Sequence, residues 1–188
     1  MRSLRESLLD DFGEQTKDLK HEAIVDWVKK NNKFKSNGLN INSDGTIDID
    51  GFYYIGKGNF PDYIDFNNCK GDFNIFDSRM TSLRGCPKEV KGYFDCSYNQ
   101  LKTLEGSPKE VGDSFYCYDN KLTSLEGSPK EVGGFFDCHD NFLKSLKGVP
   151  RRIGGAFDFR NNKVNTLEYY PEFIGGNVLS YGNPCCKK

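Results

Sequence analysis

The chain lacks any apolar run approaching the ~20 residues that a membrane-spanning helix needs, and it carries almost no net charge, −1 over 188 residues. The first absence predicts no transmembrane helix, and the second excludes a polycation adapted to nucleic acid. The opening stretch MRSLRESLLDDFGEQ places charges where a secretory signal would need its apolar segment. There are only two histidines and one tryptophan, and no Walker loop, GxSxG or HExxH pattern occurs. Hydrophobic residues make up 36% of the chain, little for one large globular core.

What is present is a repeat. KGDFNIFDSRMTSLRGCPKEV (70–90) is followed by KGYFDCSYNQLKTLEGSPKEV (91–111) and GDSFYCYDNKLTSLEGSPKEV (112–132). GGFFDCHDNFLKSLKGVPRRI (133–153) and GGAFDFRNNKVNTLEYYPEFI (154–174) come next, and GGNVLSYGNP begins a further copy. A fixed period of 21 residues predicts a solenoid whose units bury their apolar faces only against their neighbours.

In the 112–132 copy, Ser114 to Tyr118 alternates: Phe115 and Cys117 take one face, while Ser114, Tyr116 and Tyr118 take the other. That period predicts a strand, and identical returns predict parallel stacking about 4.8 Å apart. Leu122, Leu125 and Val132 then complete the inward set. Cys96, Cys117 and Cys138 share one repeat position with Ile75 and Phe159, which identifies it as apolar core filled by free thiols. Seven cysteines on this pattern predict a reducing, cytoplasmic compartment and no disulfide framework. Asn99, Asn120, Asn141, Asn162 and Asn183 follow the strands, with Ser78 at the head of the column. A stack of amides there can satisfy turn backbone groups buried between rungs. Proline at 87, 108, 129, 150 and 171 suits the return, and the glycine pairs at 133–134, 154–155 and 175–176 suit the turn back into the strand.

FxCxxNxL at 94–101, 115–122 and 136–143, with the closing valine or isoleucine, resembles the leucine-rich repeat, with Phe and Cys standing where the family has strand leucines. The wording SLEGxPKEVGGxFxC is similar to short repeats encoded by tailed bacteriophages and some bacteria, as is a helical segment followed by INSDGTIDIDG. The resemblance implies an α+β solenoid with parallel strands on one face, irregular returns and an N-terminal helical cap plus hairpin. It implies no catalytic residues.

The expected organisation is a helical cap over 1–36 and a repeat solenoid over 37–188. The latter contains a hairpin at 39–49, a degenerate first rung at 50–69, 21-residue repeats from 70 and a partial last repeat at 175–188. Leu4–Phe12 predicts a short helix ended by Gly13. Leu19, Ala23, Ile24, Trp27 and Val28 form the stripe of a second helix, either covering the first rung or docking a partner. In the first rung Tyr53, Ile55, Phe60 and Tyr63 are expected inward.

For chemistry the sequence offers little. His139, between Asp137 and Asp140 and one rung after Tyr118 and Asp119, has neighbours suited to a metal ion or to general-base work, but no nucleophile or second ligand set recurs with it. The cysteine column lacks CxxC or CxxH spacing, and Cys185-Cys186 is a vicinal pair. No catalytic residue, metal site or cofactor is therefore expected, and an enzyme is the least supported class.

The outward face is richer. Acids fall at Asp72, Asp77, Asp95, Asp119, Asp137, Asp140 and Asp158, and bases only at Lys57 and Arg160. Phe52, Tyr54, Phe76, Tyr93, Tyr98, Tyr116, Tyr118, Phe135 and Tyr181 lie among them, whereas the LEGSPKEV returns are balanced or slightly basic. Exposed tyrosines favour a binding surface, although stacking between rungs also accounts for them. The expected site comprises Tyr93, Asp95, Tyr98, Tyr116, Tyr118, Asp119, Phe135, Asp137, His139, Asp140, Asp158 and Arg160. The expected partner is a protein with a basic or mixed basic-apolar patch, from a host or a phage; nucleic acid is disfavoured because phosphate contact needs Lys and Arg. A structural component of a particle and an acidic nucleic-acid mimic are the other readings.

Overall fold

A computed structural model describes residues 4–33 and 38–186, with side chains from residue 18 onward. The chain is a parallel β-solenoid of about six turns with a 21-residue rise and a single N-terminal helix. The expected boundary at 36/37 lies outside the described residues.

Each rung contributes two very short strands at its two sides. The front sheet has seven strands, beginning with Phe52–Tyr53 and continuing through Phe94–Asp95, Phe115–Tyr116, Phe136–Asp137 and Phe157–Asp158 to Val178–Leu179. The pairing is parallel and in register, Phe94 with Phe115, Phe115 with Phe136 and Phe136 with Phe157. The returns, expected to be irregular, form a second sheet of eight strands that includes Glu110–Val111, Glu131–Val132 and Arg152–Ile153. Its first member, Asn40–Ile41, pairs antiparallel with Ile47–Ile49.

Between the sheets lies a column of rings. Phe94, Phe115, Phe136 and Phe157 are all 0% exposed, with centroids 5.3, 5.4 and 6.0 Å apart along the stack. Cys96, Cys117 and Cys138 are equally buried beside them, and burial raises their thiol pKa values well above the ordinary range. They are core atoms, free of disulfides.

The asparagines close each turn. Asn120 Nδ2 donates to the carbonyls of Cys117 and Tyr118 in its own rung and of Cys96 in the previous one, while its Oδ1 accepts from Leu101 N. Asn141 and Asn162 repeat the pattern one and two rungs on. The residue before each asparagine is left-handed: Tyr98, Asp119, Asp140 and Asn161 have φ between 50° and 53°. That conformation is uncommon outside glycine, and the amide bonds on either side hold it.

The glycine pairs have a different reason from the expected one. A Cβ on Gly133 would lie 2.0 Å from the carbonyl oxygen of Gly112, and one on Gly154 would lie 2.0 Å from that of Gly133. Close approach of successive rungs, not a positive φ, requires glycine there.

The N-terminal third departs from expectation in three places. One continuous helix, α1 (Leu4–Asn31), runs through Gly13; a single interior glycine costs about 1 kcal/mol, which good helix formers on either side can absorb. On that helix Ile24 and Val28 are buried and Trp27 half-buried, but Leu19 is 67% exposed and Ala23 is also exposed. Lys20 and His21, in the preceding turn, are exposed as well. In the first rung Phe52, Tyr54, Phe60, Ile64 and Phe66 are buried, whereas Ile55 and Tyr63 are exposed and Tyr53 is half-buried. Phe52 pairs with Phe73, so the expected phase was one residue off. A one-residue slip exchanges the faces, and Phe52 and Tyr54 therefore leave the outward set.

Trp27 stacks on Tyr54 at 5.8 Å and meets Phe60 edge-on at 5.5 Å. The helix end also ties to the sheet edge: Lys33 N donates to Tyr53 O, and Asn32 Oδ1 accepts from Tyr53 N. Among the described residues at the opposite end, Leu167, Tyr170, Phe173, Val178 and Leu179 are between 37% and 45% exposed.

Candidate binding face

The outward side of the front sheet is built from columns 21 residues apart. Asp95, Tyr116, Asp137 and Asp158 are successive partners in the ladder. Two residues later come Tyr118, His139 and Arg160, and beside them, in the left-handed turns, stand Tyr98, Asp119 and Asp140. Tyr93 and Phe135 lie at the corner that leads into the strands.

The rings of this face touch one another. Phe76 meets Tyr98 at 5.1 Å, Tyr98 meets Tyr118 at 5.5 Å, and Tyr118 stacks on His139 at 4.6 Å with planes 12° apart. Tyr93 meets Tyr116 at 6.2 Å. Tyr98 and Phe135 are about half exposed, at 49% and 51%. Tyr93, Asp95, Tyr116, Tyr118, Asp119, Asp137, His139, Asp140 and Arg160 are half-buried, and Asp158 is buried. The ring ladder makes a stiff surface, because each ring is fixed by its neighbour.

The charges are partly paired. Arg160 clamps Asp158 through Nε at 2.9 Å and Nη2 at 2.6 Å, and its guanidinium lies 5.1 Å over the Tyr181 ring. His139 Nδ1 is 2.6 Å from Asp137 Oδ1, and Lys57 pairs with Asp77 at 3.4 Å. Asp95 has no such cation among its hydrogen-bond partners; its Oδ1 accepts from Ser97 N at 2.9 Å. Burial raises the Asp95 carboxyl above its ordinary range, opposed by the Ser97 hydrogen bonds. Burial also raises Asp137, against the His139 hydrogen bond. Tyr98 is held up first by the charge of Asp119, and Tyr118 by burial and then by Asp95 and Asp137. The field over the face is negative.

A raised carboxyl fixes a sign. The ionised Asp95 is less comfortable in the fold than in the unfolded chain, so its contribution to stability falls as pH rises from the unfolded pKa through the folded one. Asp95→Asn keeps the turn, since Asn74 one rung earlier already accepts from Phe76 N at 3.0 Å. The variant is expected to melt higher than wild type at pH 7, with the gain shrinking toward pH 4. A variant that melts lower at both pH values would show that the charge stabilises.

The return side, balanced or slightly basic in sequence, carries a groove that the expected site left out. About 620 Å³ in volume, it runs across the second sheet between Val90 and Phe173, lined by Lys91, Lys109, Lys130, Arg151 and Arg152 against Glu110 and Glu131. The signal was the basic residue before each closing pair: Lys88, Lys109, Lys130 and Arg151 recur every 21 residues. The groove lining thus has five basic groups against two carboxylates, opposite in sign to the front face. Among the described residues no helix is long and apolar enough to cross a membrane.

No protein-family model matches the chain, and neither curated proteins nor solved structures provide a match.

Proposed function

We propose that this chain is a protein-binding module of the leucine-rich-repeat class, of the kind that tailed bacteriophages and some bacteria encode. In this reading it has no reaction of its own, acts in the cytoplasm (the host cytoplasm for a phage protein) and engages its partner through the front face. The observation that carries the reading is the ring ladder Phe76–Tyr98–Tyr118–His139 interleaved with Asp95, Asp119, Asp137 and Asp140. Rigid aromatics near the centre of an interface supply affinity at small entropic cost, and acidic groups around them steer association. The complementary surface is basic or mixed basic-apolar, from a host factor or another protein of the same phage.

Selection of a displayed random-peptide library on the immobilised chain, followed by kinetics on the selected peptides, tests this. The peptides are expected to be rich in Lys and Arg beside apolar residues. Tyr116→Ala with Tyr118→Ala should weaken binding by about 2 kcal/mol, roughly thirty-fold, mainly by faster dissociation. Asp95→Asn with Asp137→Asn should slow association and flatten its salt dependence. Lys109→Ala with Lys130→Ala is the control. Acidic peptides whose binding is lost in the lysine variant and kept in the tyrosine variant would move the site to the groove on the second sheet.

A further inference from the structure

His139 is constrained on three sides. Its ring lies flat on Tyr118, its Nδ1 is 2.6 Å from Asp137 Oδ1, and its Nε2 is 3.4 Å from Asp140 Oδ2. An imidazole that donates Nδ1–H to Asp137 keeps Nε2 as an acceptor able to ligate a metal ion, with a carboxylate oxygen of Asp140 3.4 Å away.

The surroundings of Nε2 suit the metal. Asp119 and Asp140 are equivalent residues of adjacent rungs, both in left-handed turns with φ of 50° and 51°. Their backbone N–H groups are fixed to the next rung, Asp119 N to His139 O and Asp140 N to Arg160 O. One ligand atom from each of Asp119, His139 and Asp140 lies within 4.8 Å of the others. The 3.4 Å between Nε2 and Oδ2 equals the edge of a tetrahedron drawn on metal–ligand bonds of about 2.1 Å. Asp137, Asp158 and the same histidine also cluster, but there Arg160 already holds Asp158 and Asp137 already faces Nδ1.

We propose that Asp119, His139 and Asp140 bind a divalent transition-metal ion of the Zn²⁺ and Co²⁺ type, with Asp137 orienting the imidazole and water completing the coordination. An imidazole nitrogen with two carboxylates selects such ions over Mg²⁺ and Ca²⁺, and a carboxylate behind the ligating ring is the usual orienting partner. Metal binding here is a property of the chain alone, so it stands or falls independently of the protein-binding reading.

The test is calorimetric titration with Zn²⁺, and absorption titration with Co²⁺, on the Cys185→Ser, Cys186→Ser chain. In that background the vicinal thiols, whose Sγ atoms are 2.9 Å apart, cannot supply a competing site. The expected result is one saturable ion per chain, undisturbed by excess Mg²⁺. His139→Ala and Asp140→Asn should each abolish binding at the same concentrations. Asp137→Asn should weaken it by about 10- to 100-fold while leaving the Co²⁺ spectrum of the residual complex unchanged, the mark of a positioning residue. Thermal melts of each variant confirm that the solenoid is intact. Absence of saturable binding in this background would show that the three side chains hold no ion, and binding that survives His139→Ala would place the ion elsewhere; either result overturns the proposal.

Discussion

Phe115→Ala is expected to lower the unfolding free energy by about 3–5 kcal/mol, the range for a fully buried phenylalanine. The ring is 0% exposed and lies between Phe94 at 5.3 Å and Phe136 at 5.4 Å. A solenoid rung has no contacts except those with its two neighbours, so the cavity cannot be closed by distant parts of the chain. Both rung interfaces weaken together, and the two halves of the stack become less cooperative. Urea denaturation should show a lower midpoint with a shallower or two-step transition. Phe135→Ala, one residue earlier and 51% exposed, should change stability far less. Similar midpoints for the two variants would mean that the phase of the strands is wrong.

Asn120→Ala is expected to destabilise by about 1–3 kcal/mol, because a buried N–H loses its partner and three carbonyls each lose one of two. The N–H of Leu101 donates to that amide, while the carbonyls of Cys96, Cys117 and Tyr118 keep Asn99 Nδ2, Asn141 Nδ2 and Tyr98 N respectively. The left-handed Asp119 beside it also loses its brace. Lys121→Ala, at an exposed position, should stay within about 0.5 kcal/mol of wild type. Chemical denaturation of both variants checks the contrast, and equal effects would contradict the asparagine ladder.

Much of this architecture is legible in the sequence because the same phase is written several times over. Phenylalanine, the cysteine position, asparagine and the closing valine recur at fixed offsets, so a slip in one copy is corrected by the next. The first rung has no such protection. Residues 50–69 contain neither the NxL turn nor the PKEV return, and alternating Phe52, Tyr53, Tyr54 and Ile55 is apolar in either phase. Only pairing with Phe73 decides it. The second sheet was illegible for a different reason: strands of two residues are too short to show alternation. The columns of the front face were readable from their offsets, but the pairing within them was not. Whether Arg160 reaches Asp158, or His139 reaches Asp137 and Asp140, depends on turn conformation and rotamer.

The front face and the groove behind it carry opposite charge, and the central claim is that the acidic, ring-bearing face is the working surface. Photocrosslinking from single positions tests this most directly. A photoreactive phenylalanine analogue is placed at position 116 on the front sheet or at position 130 in the back groove, and the chain is irradiated inside the cells that carry it. A discrete adduct with another protein from position 116, with none from position 130, is the predicted result. A discrete adduct from position 130 alone would contradict the account.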